Sequence, residues 1–329
     1  MMPFIELTKR DSWVGRCRLG LVSGLIAAIS TLALAHARGE EHKSFVSPEE
    51  AVVALVEALK VNDTKVLSDL FGPGSEDLVS SGDPLADQKR RKQFVHYYDL
   101  KHRLDKVSAD EVFLHIGYDD WPFPIPVVKT DTGWQFDANE GRDEILARRI
   151  GRNELSAIQV CLAYVDAQRE YAVKDRDVDG LLEYAQQFRS DPGKKNGLYW
   201  PETEFKERSP LGPLMVAAEA AGHNVPAPGS EPTPFYGYYY RILKAQGKHA
   251  AGGAYDYVVN GHMIGGFALV AYPARYGASG IMTFIVNHDG VVYQKDLGEE
   301  TETIAKEMTA FDPDATWKKV EQVAAVKRE

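Results

Sequence analysis

The chain has 329 residues, of which 44% are hydrophobic and 26% charged. That composition excludes collagen-like, disordered and polytopic membrane proteins, and the length predicts two domains, each able to bury its own core. Lys and Arg number 38 against 48 Asp and Glu, a net charge of −10; a field of that sign repels phosphate backbones, so no nucleic-acid partner is expected.

Lys9, Arg10, Arg16 and Arg18 precede an uncharged run from Leu19 to Ala35, which closes on Ala35-His36-Ala37. This layout predicts a secretory signal peptide over residues 1–37, cut before Arg38. If retained, the same run would sit at the lower length limit for a membrane anchor. Cleavage would leave a chain of charge −12, periplasmic or secreted, with no stable membrane span. Cys17 would leave with the leader and Cys161 would remain alone, inside the apolar helical pattern of Ile158, Leu162 and Val165, as a small core residue.

Residues 38–46 read as a linker. Ser47-Pro48-Glu49-Glu50 then combines a capping serine, a proline suited to the first turn and a capping-box glutamate. A helix follows, with Val52, Leu55, Val56 and Leu59 on its buried face. Asp63 opens a second helix ending near Gly72-Pro73-Gly74, and a third is expected from Pro84 to Leu104. The period then drops to two: Val112, Leu114 and Ile116 alternate with Phe113 and His115, and a hairpin over Thr130-Asp131-Thr132-Gly133 joins Ile125–Lys129 to Trp134–Phe136. Residues 47–138 are thus expected to form an α+β domain, helices on one face of a small antiparallel sheet. The pattern is similar to the cone-shaped domains of the NTF-two-like class, which host binding pockets.

Residues 139–174 predict a long connecting helix with an apolar stripe through Ile145, Leu146, Ile150, Leu155, Ile158, Leu162 and Val165, with Gly151 as an expected interruption. Residues 175–329 make a second α+β domain. It opens on a long irregular stretch, Asp175 to Pro234, with short helices expected at Leu181–Phe188 and Pro213–Ala221; Leu198, Tyr199, Trp200 and Phe205 should tie it to a core. Strands follow at Tyr236–Leu243, Gly266–Tyr272, Ile281–Val286 and Val291–Tyr293, with a turn at Asn287-His288-Asp289-Gly290 and a last helix over Glu299–Thr309. The fold class is therefore α+β: N-terminal helices with a small antiparallel sheet, then a long helix and a C-terminal antiparallel sheet.

One local motif points to a cation. Asp175-x-Asp177-x-Asp179-Gly180 has the spacing of a calcium loop, which would use those three carboxylates, the Leu181 backbone carbonyl and, through water, Glu183. Gln186 stands where such loops place a bidentate Glu, which weakens a Ca2+ site. The plainer alternative is that Asp179 caps the following helix while Asp175 and Asp177 stay hydrated. His96 and His102 do not share a helical face, and His262 and His288 lie in turns and read as exposed polar residues. No Walker loop, Gly-x-Gly-x-x-Gly or Gly-x-Ser-x-Gly is present, so no catalytic or cofactor-binding residue is assigned. Tyr236, Tyr238 and Tyr240 would share one strand face, able to stack a sugar or peptide but more simply explained by cross-strand packing.

Tyr164-Val165-Asp166-Ala167-Gln168, Glu183-Tyr184-Ala185, Gly197-Leu198-Tyr199-Trp200, Gly237-Tyr238-Tyr239-Tyr240, Gly265-Gly266-Phe267-Ala268 and Asp296-Leu297-Gly298 together resemble an exported bacterial family known as domain of unknown function 2950. The resemblance implies location and architecture and no activity. The second half is also similar to the heads of type II secretion pseudopilins, a class with calcium-supported loops. The expected function is a non-catalytic binding or assembly module of the cell envelope, with a structural calcium and an envelope protein or polymer as partner. The alternative is a periplasmic hydrolase with an acidic cleft between its domains.

Overall fold

The computed structural model describes residues 42–176, 178–220 and 231–321. The expected signal peptide and Asp177 lie outside the described residues. The Ser47 hydroxyl accepts from the Glu50 amide at 3.2 Å, while the Glu50 carboxylate reaches one residue further back, to the Val46 amide at 3.4 Å. Helix α1 (Pro48–Val61) starts on this cap and buries Ala51, Val52, Leu55, Val56 and Ala58. The Asp63 carboxylate caps α2 (Thr64–Phe71) through the Val66 amide at 3.0 Å. A single turn, α3 (Glu76–Val79), precedes α4 (Pro84–Leu100), which Asp83 caps through the Ala86 amide at 3.0 Å.

Helix α4 ends at Leu100, short of the predicted Leu104, because the chain is already paired at His102. Strand β1 (His102–Lys106) runs antiparallel to β2 (Glu111–Ile116) from the pair His102–Ile116 onward, and a sheet ladder overrides local helical preference. In β2 the expected alternation holds, with Val112, Leu114 and Ile116 buried. With β3 (Trp121–Pro122), β4 (Val127–Thr130) and β5 (Gly133–Phe136) they form an antiparallel sheet of order β1-β2-β4-β5, β3 flanking β2. Leu55, Leu67, Leu70, Leu114, Ile125 and Phe136 are buried in the core between helices and sheet.

Helix α5 (Ala138–Tyr171) has 34 residues, a rod of about 50 Å, and Gly151 does not interrupt it. Its first turns pack Ala138, Ile145 and Leu146 on the N-terminal core, and Ala157, Cys161, Tyr164 and Val165 enter a second core. Gly141 is required where α5 passes the chain before β4: a Cβ there would lie 2.5 Å from the Pro124 carbonyl oxygen. Burial pushes the Cys161 thiol up to about 12, the state of an inert packed residue.

After α6 (Gly212–Ala220) come β6 (Tyr238–Leu243), β7 (Ala245–Gln246), β8 (Tyr255–Asp256), β9 (Val258–Val259), β10 (His262–Met263), β11 (Ala268–Pro273), β12 (Met282–Asn287), β13 (Tyr293–Asp296), α7 (Thr301–Glu307) and β14 (Lys318–Lys319). The main sheet has the order β14-β13-β12-β11-β6, antiparallel throughout. All six residues of β11 are buried, and both α5 and α7 contact it, as a strand covered on two sides requires. Tyr236 lies outside β6 with φ 53°, so the three tyrosines do not form one row. Tyr238 is fully buried and Tyr239 packs at a tilt against its cross-strand neighbour Tyr272 with ring centroids 5.5 Å apart, which is core packing.

Buried polar groups join the two cores. The second oxygen of Asp83 accepts from the Gly237 amide at 3.0 Å, Asn153 donates to the Ser279 carbonyl at 2.8 Å, and Arg90 donates to the Asn153 side-chain oxygen at 2.6 Å. Among the described residues no helix is long and apolar enough to cross a membrane.

Candidate metal centre

The segment expected to be a helix over Leu181–Phe188 is irregular instead. Its backbone is claimed by neighbours, which removes the donors and acceptors a helix would use. The buried Gln168 side chain brackets Ala185, donating to its carbonyl at 2.8 Å and accepting from its amide at 2.9 Å. Tyr184 donates its amide to the Met263 carbonyl at 2.8 Å, and the Leu198 and Tyr199 amides donate to the carbonyls of Gln187 and Phe188.

The far side of this loop closes on charge. Glu207 accepts from Lys174, Arg176 and Lys195 at 2.5, 2.8 and 2.8 Å, and the Arg176 guanidinium, only 4% exposed, lies against the rings of Tyr171 and Trp200 at 5.5 and 5.4 Å. Hydrogen bonds from Lys174 and Lys195, with the charge of Arg176 added, hold the Glu207 carboxyl at about 2 against an ordinary 4.5. A carboxyl depressed on folding stabilises the fold above its unfolded value and loses that contribution as pH falls through its folded value. Wild-type stability is therefore expected to drop between pH 4.5 and about 2 by more than that of Glu207→Gln, as thermal melts across that range would measure. Equal drops would mean that other carboxylates carry the acid sensitivity.

The Tyr184–Met263 hydrogen bond sets Glu183 beside His262, the first residue of β10, which turns back from β9 through Asn260-Gly261. Both residues of that turn have positive φ, 52° and 93°, so glycine fits the second. His262 Nδ1 lies 3.2 Å from a carboxylate oxygen of Asp179 and 3.2 Å from one of Glu183. One donor atom from each of the three residues falls within 4.8 Å of the others. Donors sharing an ion at roughly 2.0–2.2 Å stand about 3.3 Å apart in tetrahedral geometry; the two 3.2 Å spacings from His262 Nδ1 are of that size, and are also those of direct hydrogen-bonded ion pairs.

Of the calcium-loop candidates, Asp179 and Glu183 converge. Asp175 does not join them: its two oxygens accept from the Val178 and Gly180 amides at 2.7 and 2.9 Å, closing its own loop. Leu181 donates its amide to Asp179 at 2.8 Å. Gln186 turns to the hairpin, donating to the Gly261 carbonyl and accepting from Lys244 at 3.0 Å. His262 is the residue that sequence reasoning left in a turn. It is 79 positions from Glu183, and no spacing rule links residues so far apart.

Residues 42–320 match the family described as protein of unknown function (DUF2950). The chain belongs to this family. The match covers both cores, the loop and the Asp179–Glu183–His262 cluster of this DUF2950 member. Neither the curated proteins nor the solved structures hold a significant match to it.

Proposed function

We propose that the chain is an exported cell-envelope protein that acts by binding or assembly, and that a divalent cation on Asp179, Glu183 and His262 pins its long loop to the β9–β10 hairpin. The observation that carries the metal is the convergence of three donor atoms within 4.8 Å. An imidazole between two carboxylates suits Zn2+ or a similar borderline ion, whereas Ca2+ takes six to eight oxygens. Export is supported by the leader-like residues 1–37 and the lone Cys161. N-terminal sequencing of the exported protein should begin at Arg38.

An ion bound only by the folded form adds about 2.7 kcal/mol of stability at a hundredfold excess over Kd. Zinc is therefore expected to raise the melting temperature of the wild type, and EDTA to reverse the rise. His262→Gln and Asp179→Asn should remove the response. A shift with calcium alone would restore the oxygen-based loop, and no shift with either ion would reject the metal. A second reading rests on exposure: His262 is 34% exposed, and three protein ligands leave a position for water, as in hydrolytic zinc sites. Zinc-dependent hydrolysis of a chromogenic ester, lost in Glu183→Gln, would favour that reading.

A further inference from the structure

The N-terminal core is not filled. Leu55, Leu59, Leu67, Phe94, Phe123 and Ile145 wall a cavity of about 170 Å³ between the helices and the sheet. A dry apolar cavity of roughly 150 Å³ is large enough for a benzene ring. Four arginines, Arg90, Arg91, Arg149 and Arg152, also line it, against one carboxylate, Asp87. In a chain of net charge −10, this concentration of positive charge beside an apolar wall is a local reversal of sign.

Two of these guanidinium groups close the end of a helix. Arg91 donates to the Val79 carbonyl and to Asn62, and Arg149 donates to the Asp77 and Leu78 carbonyls, so both cap the last carbonyls of α3. Among the described residues neither pairs with a carboxylate. Burial pulls the Arg149 guanidinium down to about 10; Arg90 and Arg152 add repulsion, and Asp87 and Asp77 relieve it in part.

Arg90 and Arg152 keep donors to spare, although Arg90 also gives Nη2 to the Asn153 side-chain oxygen at 2.6 Å. Arg90 Nη1 is buried without a hydrogen-bond acceptor, 3.7 Å from Asp87. The Asp87 oxygens are already taken by the Ser81 amide and hydroxyl at 2.8 and 2.7 Å, and those of Asp83 by the Ala86 and Gly237 amides. Arg152 is exposed at the cavity with no side-chain partner among the described residues. An orphaned buried donor and a free guanidinium at the edge of an apolar cavity are what a carboxylate with a short apolar tail would satisfy: fork-shaped donors for the head, desolvated space for the tail.

We infer that this cavity is a binding site for a small amphiphilic carboxylate, a short-chain acyl or aryl acid, with its head on Arg90 and Arg152 and its tail among Leu55, Leu59, Phe94 and Ile145. The site is independent of the metal cluster. Calorimetric titration of the full chain with sodium butyrate, sodium hexanoate, sodium acetate and hexylammonium chloride tests it. Affinity should rise about fourfold per methylene from butyrate to hexanoate, and acetate and hexylammonium should not bind. Arg152→Glu, which removes no side-chain hydrogen bond or ion pair found among the described residues, should weaken hexanoate at least tenfold. Ile145→Phe should fill the cavity and abolish binding without lowering the melting temperature; if that variant does not fold, Arg152→Glu alone decides. Absent hexanoate binding, equal binding of hexylammonium, or an unchanged affinity in Arg152→Glu would overturn the assignment.

Discussion

Gln168→Leu is expected to destabilise the protein by about 3 kcal/mol, because it leaves the buried amide and carbonyl of Ala185 without partners and each orphaned group costs roughly 1–3 kcal/mol. Gln168 is fully buried, and its amide group also donates to the Tyr164 hydroxyl at 3.0 Å. Leucine matches the volume closely enough that packing changes little, so the loss reports the hydrogen bonds rather than a cavity. Urea unfolding measures it. The same substitution should speed proteolysis between residues 181 and 200, since Gln168 ties that segment to α5. If the metal reading holds, it should also weaken zinc binding, because Glu183 reaches His262 only while this segment keeps its course. A loss below about 1 kcal/mol would place the anchorage in the packing of Trp200, whose fully buried indole donates to the Glu207 carbonyl at 2.8 Å.

The dependence on Gln168 also explains which parts of this protein were legible in its sequence. The openings of α1 and α2 were, because a cap is a contact between residues three apart: Ser47 with Glu50 and Asp63 with Val66. Strand β2 was legible because one face is buried and the other is not, so Val112, Leu114 and Ile116 carry a period of two. Strand β11 shows no such alternation, being buried on both faces, and reads simply as an apolar run. The segment from Leu181 to Phe188 had a capping aspartate and apolar residues and still is not helical, since its hydrogen bonds go to Gln168, Met263, Leu198 and Tyr199, none of them local. The same long-range pairing puts His262 beside Asp179 and Glu183. The calcium pattern found two of those residues by their proximity in sequence and had no means of finding the third. The arginines of the N-terminal cavity were hidden for another reason: Arg90 and Arg91 lie in the charged run Lys89–Lys92, which carries no apolar spacing, and only long-range contacts, Arg91 with the Val79 carbonyl and Arg90 with Asn153, draw them to the cavity.

Asp83→Ala should be nearly as costly, at about 3 kcal/mol, since a lost helix cap costs roughly 1 kcal/mol and an orphaned buried amide roughly 1–3 kcal/mol. Asp83 is 1% exposed; one oxygen caps α4 and the other accepts from the buried Gly237 amide at the entrance to β6. Asp83→Asn keeps an acceptor for one of these amides and the capping geometry, so it should lose less than half as much. The pair of variants therefore separates the cap from the junction. The larger consequence concerns cooperativity. The two hydrophobic cores are linked by α5, by Asp83 to Gly237, and by the chain of Arg90, Asn153 and Ser279. A helix shared by two cores transmits unfolding only if neither core can melt while the helix stays docked on the other. If the polar junction supplies that coupling, calorimetry of Asp83→Ala should resolve two transitions where the wild type shows one. A single sharp transition in the variant would assign the coupling to α5, whose Ala157, Cys161 and Tyr164 are fully or nearly fully buried in the second core while Ala138 and Ile145 hold the first.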